Sequence, residues 1–99
     1  MIVMYKEPAE EDKARFDDHY FNVHVPLCQK YPGLVSAEVN RLTGAATGKP
    51  PYYLISELTF NSKADLDAAL ASPEGKAVYK DTRNFPPVDM TVAFAEVVK

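Results

Sequence analysis

The order of the hydrophobic patterns along the chain constrains its fold more than any other feature. Strands are predicted at residues 2–6, 34–42, 52–60 and 89–98. Helical periodicity is predicted between the first two strands, at residues 9–30, and between the last two, at 62–72 and 74–80. The order β-α-β-β-α-β predicts an α+β, ferredoxin-like sandwich with a four-stranded antiparallel sheet, in a single domain over residues 1–99.

Three of the predicted strands are apolar on both faces. Residues 2–5 (IVMY) and 52–55 (YYLI) show no alternation of apolar and polar side chains, and the last strand has Val92, Phe94 and Val98 on one face and Ala93, Ala95 and Val97 on the other. In a ferredoxin-like unit the helices cover one face of the sheet, so an apolar second face needs another cover. A second copy of the chain provides one through a two-fold interface. The pattern therefore predicts a homodimer packed sheet to sheet.

Composition and charge argue against several classes of partner. The 99 residues include 46% hydrophobic and 25% charged residues, as in ordinary globular proteins. The net charge is −3 and the 11 Lys and Arg residues form no stripe, which argues against nucleic-acid binding. No apolar run approaches the roughly 20 residues that cross a membrane. A single cysteine and an N-terminus without a signal-peptide pattern predict a cytoplasmic location.

A proline lies inside the first predicted helix. Pro26 has no N–H to donate to the carbonyl of Asn22, which predicts either a kink or two short helices that meet nearby. His24 lies about 40° from Tyr20 around an ideal helix, so His24 is predicted to face the sheet. His19 lies about 140° from His24, and the two imidazoles are not expected to meet unless the kink turns them.

The segment FDDHYFNVHVPL, residues 16–27, resembles the EthD family. The signature of that family is an aromatic-rich helix ending in a His-x-Pro-Leu element, followed by Pro-Gly and a strand. Here these elements are HVPL at residues 24–27 and PGL at 32–34, and SPEG at 72–75 with DTRNF at 81–85 is a supporting match. The resemblance spans essentially the whole chain. It implies a dimeric α/β barrel, in which two ferredoxin-like sheets close against each other.

The resemblance constrains activity much less than fold. EthD is named for an association with ether degradation, and similar domains occur beside catabolic oxygenases or resemble dehydratases and cyclases of aromatic polyketides. The wider superfamily includes cofactor-free monooxygenases, haem-degrading enzymes and muconolactone isomerases. One hypothesis is a cofactor-free oxidoreductase, lyase or isomerase acting on a small hydrophobic or aromatic compound in catabolism or secondary metabolism. The alternative is a non-catalytic ligand-binding or accessory protein of a degradation pathway.

His24 is the strongest candidate for acid–base catalysis, because a partly buried imidazole can titrate near neutral pH. The simpler alternative is a core histidine with one satisfied hydrogen bond. Tyr20 either packs in the core or acts beside His24 as a catalytic, substrate-orienting hydroxyl. His19, Tyr79 and Phe85 are candidate substrate-binding residues around a pocket, although a surface histidine and packing aromatic rings are their simpler roles.

Metal and cofactor sites are not predicted. His24 and Cys28 are one helical turn apart, but a single cysteine and a poorly placed His19 do not complete a tetrahedral zinc shell. Cys28 is instead predicted to be a small buried hydrophobe. The chain contains no phosphate-binding loop and no dinucleotide fingerprint. Glu38 and Glu57 lie in the middle of strands and are predicted to be paired or hydrogen-bonded.

Overall fold

Four strands form one antiparallel sheet in the order β2-β3-β1-β4. The computed structural model describes all residues, 1–99. The strands are β1 (Ile2–Tyr5), β2 (Leu34–Arg41), β3 (Leu54–Phe60) and β4 (Met90–Ala93). Since β1 and β3 are central and β2 and β4 lie at the edges, the predicted ferredoxin-like sheet is confirmed.

The helices belong to two regions of the chain. The first region is a 3-10 turn (Glu10–Asp12), α1 (Lys13–His19), a π-helical turn (Tyr20–His24) and α2 (Val25–Cys28). The second is α3 (Lys63–Ala71), α4 (Pro73–Asp81) and a 3-10 turn (Thr82–Asn84). Ser62 and Ser72 cap α3 and α4, because each hydroxyl accepts a hydrogen bond from the backbone N–H three residues later. None of these helices has the length and apolar character needed to cross a membrane.

The core lies on one face of the sheet only. Tyr5 of β1 and Leu54 of β3 are fully buried against Phe16 and Tyr20 of the first helical region. The opposite face includes the half-buried side chains of Ile2, Met4 and Ile55. The smallest dimension of the molecule is 17 Å, which allows one layer of helices and one sheet. The second face of the sheet therefore has no helices over it.

The last strand is shorter than the sequence predicted. A strand was expected over residues 89–98, but β4 ends at Ala93. The reason is its register, because β4 pairs only with β1 and Ala93 lies opposite Ile2, where β1 begins. The residues after Ala93 have no strand beside them, and Phe94, Val97 and Val98 are exposed.

Helices α3 and α4 meet closely at Gly75. A Cβ at this buried position would lie 2.8 Å from the Leu70 carbonyl oxygen and closer still to that of Ala69. We expect Gly75→Ala to lower the free energy of unfolding by about 1–3 kcal/mol, measured by urea denaturation. Gly44→Ala is the matched control, since a Cβ there has no neighbour within 4 Å. Equal destabilisation by the two substitutions would contradict this packing argument.

Candidate functional site

A π-helical turn, Tyr20–His24, lies just before Pro26. The Val25 N–H donates to the Tyr20 carbonyl, five residues back rather than four. Pro26 has no N–H to donate to the Asn22 carbonyl, and a π turn joins α1 and α2 where a kink or a break was predicted. The extra residue in the turn brings side chains five positions apart to the same side of the helix. His19 and His24 are such a pair.

The two histidines converge on one carboxylate. Asp81, the last residue of α4, is buried with 6% exposure. Its Oδ2 lies 2.9 Å from both His24 Nδ1 and His19 Nε2. Its Oδ1 accepts a hydrogen bond of 3.0 Å from Asn84 Nδ2. The π turn thus turns both imidazoles towards a common partner.

Protonation of this cluster follows from its hydrogen bonds. Burial disfavours the charged form of Asp81, but hydrogen bonds from Asn84, His24 and His19 together hold its pKa below the ordinary value. Since an ionised carboxylate only accepts hydrogen bonds, each of the three nitrogens around it must donate. Burial outweighs the effect of Asp81 and lowers the pKa of His24. The lowered pKa favours the neutral form of His24 at pH 7, and in that form the bond to Asp81 takes the proton on Nδ1 and leaves the lone pair on Nε2.

A cavity of about 460 Å³ separates the helices from the sheet near His24. Fifteen of its 21 lining residues are hydrophobic, and its volume lies within the range of small-molecule sites. The sheet side of the cavity is lined by residues of all four strands: Val3, Tyr5, Ala37, Glu38, Val39, Ser56, Leu58, Met90 and Val92. The exposed residues Lys76 and Tyr79 of α4 lie at its mouth.

The second nitrogen of His24 opens to this cavity. Nε2 makes no hydrogen bond within the protein, whereas every fully buried side-chain nitrogen or oxygen has a partner. His24 is only 4% exposed and lines the cavity. Nε2 is therefore the polar atom that His24 offers to this mostly apolar cavity.

Burial keeps the neighbouring polar groups of the cavity protonated. Burial raises the pKa of Tyr20 to about 12 against the opposing effect of Ser56. Burial also raises the pKa values of Cys28 and Tyr31 to about 12. At neutral pH these groups carry no charge, and His24 is the buried lining group that can take up a proton.

The other candidate residues lie in different places around His24. Tyr20 lines the cavity and stacks on the imidazole, with ring centroids 5.7 Å apart. Tyr79 lies at the mouth and is 69% exposed. His19 and Phe85 do not line the cavity. His19 shares the Asp81 carboxylate with His24, and the Phe85 ring centroid lies 4.8 Å from that of the His24 imidazole. Roles in substrate binding for His19, Tyr79 and Phe85 stay predictions.

Asp81 was not among the site residues that sequence reasoning selected. It was named only as the first residue of DTRNF, the segment at residues 81–85 that supports the resemblance to the EthD family. One signal for it was available, since Asp81 follows Val78 by three residues and shares its buried face of α4. A carboxylate on a buried helix face needs a hydrogen-bonding partner. His19 and His24 each bond to Asp81, and no three His, Cys, Asp or Glu side chains are arranged around a common metal position.

Comparisons with known proteins identify the family. The sequence model of the EthD domain matches residues 9–86. An uncharacterised 11.0 kDa protein encoded between thcB and thcC in Rhodococcus erythropolis is 35% identical over 96 residues, which cover 97% of this chain and 91% of the relative.

Solved structures agree with this match. The crystal structure of an EthD (ethyl tert-butyl ether D) family protein from Bacillus halodurans is 35% identical, with a TM-score of 0.76 over 94% of this chain and 95% of the other. HapK from Hahella chejuensis, at 15% identity and a TM-score of 0.63 over 99% and 95% of the two chains, shares the fold. The chain belongs to the EthD family.

Proposed function

We propose that this protein is a cofactor-free enzyme that uses His24 as a general base on a small hydrophobic or aromatic compound. Its setting would be catabolism or secondary metabolism in the cytoplasm, with oxygenase-, dehydratase- or isomerase-like chemistry. The observation that supports this proposal is a buried imidazole that lines an apolar cavity and whose Nδ1 lies 2.9 Å from the carboxylate of Asp81.

The cluster has the parts that proton abstraction needs. When Nε2 takes a proton, the imidazole becomes positively charged, and the adjacent Asp81 carboxylate stabilises that charge. General-base catalysis of this kind contributes about 10²–10⁴-fold to a rate. We propose that the Tyr20 hydroxyl, beside Ser56, orients the substrate next to His24. The apolar lining would exclude water from the reacting groups.

A panel of phenols, quinones and polyketide-like ring compounds tests this function without any added cofactor. Binding is measured by calorimetry, and conversion by liquid chromatography with mass spectrometry. We expect at least one compound that binds in the cavity to be converted. Binding of several compounds with conversion of none would overturn the catalytic proposal and support a ligand-binding or accessory role.

We also propose that two copies of the chain pair through their open sheet faces. The face without helices includes the half-buried side chains of Ile2, Met4 and Ile55, which form an adjacent group across β1 and β3. An apolar group of this kind is typical of an interface. Two such faces would bury each other about a two-fold axis.

Ile55→Asp should convert the dimer into a monomer, because it would bring a desolvated charge into each half of the interface. Light scattering behind a sizing column measures the mass. Val23→Asp is the matched control, since Val23 lies in the helical layer and is already exposed, and this variant should stay dimeric. A monodisperse wild-type monomer at micromolar concentration would contradict the proposal.

A further inference from the structure

The Tyr5 hydroxyl is an unpartnered polar group inside the cavity. Tyr5 is 1% exposed and lines the cavity, and its hydroxyl makes no hydrogen bond with the protein. Since no fully buried side-chain oxygen lacks a partner, the small exposed part of Tyr5 includes this oxygen. Buried hydroxyl groups in native proteins are almost always hydrogen-bonded, to protein or to water, so this donor is available to a ligand that enters the cavity.

Tyr5 and His24 share the same two neighbours. The Tyr5 ring lies 5.2 Å from Tyr20 and 5.9 Å from Phe85. The His24 imidazole lies 5.7 Å from Tyr20 and 4.8 Å from Phe85. The Tyr5 and His24 side chains therefore lie close together in the wall of one cavity. They offer complementary chemistry, because burial raises the pKa of Tyr5 and keeps its proton available for donation, whereas neutral His24 accepts.

We propose that the Tyr5 hydroxyl binds the carbonyl oxygen of the substrate whose proton His24 removes, so that the substrate is a cyclic or aromatic carbonyl compound. This inference rests on the proposed function and names its substrate class. A ketone or quinone ring with a hydroxyl group or an acidic C–H fits both the donor and the acceptor. Most of the remaining wall is apolar and suits the ring itself.

The electrons and protons of this step balance without a further reactant. His24 Nε2 takes a proton from the carbon next to the carbonyl, or from a conjugated hydroxyl. The electron pair left behind moves onto the carbonyl oxygen, and the hydrogen bond from Tyr5 strengthens as negative charge develops there. Tyr5 keeps its own proton. Return of the proton from His24 to a different atom would give an isomer of the substrate.

Matched ligands test the proposal. The hydroxy-1-tetralone isomers are compared with tetrahydronaphthols, which have the same hydroxyl and ring system but lack the ketone. We expect at least one tetralone to bind the wild type about tenfold more tightly than its partner, because the ketone satisfies a buried donor. Tyr5→Phe should abolish that difference and leave the Kd of the tetrahydronaphthol unchanged, as measured by calorimetry.

Two controls separate ligand binding from folding. Tyr5→Phe keeps the ring in its cluster and removes a hydroxyl without a protein partner, so Tm should not fall. Tyr31→Phe makes the same change at another buried cavity tyrosine, which packs in a separate part of the core, and should preserve the preference for the tetralone.

The outcomes distinguish this inference from the proposed function. Equal binding of both ligand types by the wild type, or a preference that survives Tyr5→Phe, would overturn the role of Tyr5 and leave the His24 proposal intact. If neither ligand type binds at about 1 mM, the substrate class inferred here is overturned, and the wider panel of ring compounds then decides the His24 proposal separately.

Discussion

Replacement of His24 with Gln should lower kcat/KM for a converted compound by about 10²–10⁴-fold, the usual contribution of a general base. Glutamine is polar and of similar reach, but its amide does not take up a proton at neutral pH. Because the cavity wall is otherwise unchanged, Kd for the same compound should stay near the wild-type value. Steady-state kinetics and calorimetry measure the two quantities on the same preparations.

Two results would contradict this expectation. Turnover that survives His24→Gln would remove the imidazole from the chemistry. A large fall in Tm with proportionate losses of binding and turnover would mean that His24 has a structural role in the aromatic cluster with Tyr20 and Phe85.

The kcat/KM of the wild-type protein should fall as the pH is lowered. His24 must be neutral to act as a base, so protonation at low pH removes activity. Because burial lowers the pKa of His24 from its ordinary value of 6.5, the midpoint of the fall in kcat/KM should lie below pH 6.5. A midpoint at or above pH 6.5 would contradict the account of His24.

Asp81→Asn should lower turnover almost as strongly as loss of the imidazole, by about 10²–10⁴-fold. Asp81 Oδ2 accepts from both histidines, and Oδ1 accepts from Asn84 and also lies 3.0 Å from His19 Nε2. An asparagine has one acceptor oxygen for these positions and no charge to stabilise an imidazolium. If its NH₂ group faces His24, the imidazole changes tautomer and its lone pair points away from the cavity.

Asn84→Ala is the matched control for Asp81→Asn. It removes one hydrogen bond to Oδ1 and leaves the charge of Asp81 and both bonds to His24 and His19 in place. Its effect on turnover should be less than about tenfold, in line with the loss of one hydrogen bond. Equal losses in the two variants would show that the charge of Asp81 has no special role.

The fold could be predicted because its determinants are local. The N-caps at Ser62 and Ser72 mark where two helices begin, and short apolar runs mark the strands. The order of these helices and strands allows few topologies. The end of β4 could not be read from the sequence, because residues 94–98 are as apolar as a strand. Their lack of structure depends on the register with β1, which is a long-range property.

The site was predicted in part. His24 could be selected because it lies near the apolar stripe of a helix interrupted by Pro26. The closeness of His24 to His19 could not be predicted, because an ideal α-helix has 3.6 residues per turn and the π turn changes that spacing. Asp81 lies 57 residues from His24 in the sequence, so only tertiary structure brings the pair together.

The tautomer and charge of His24 test the central claim most directly. ¹⁵N NMR of the imidazole nitrogens, assigned with His24→Gln, distinguishes a protonated nitrogen from one with a lone pair. We expect a neutral His24 at pH 7 with the proton on Nδ1, an unprotonated Nε2 and a titration midpoint below 6.5. A proton on Nε2, or an imidazolium at pH 7, would contradict the assignment of His24 as a base that faces the cavity.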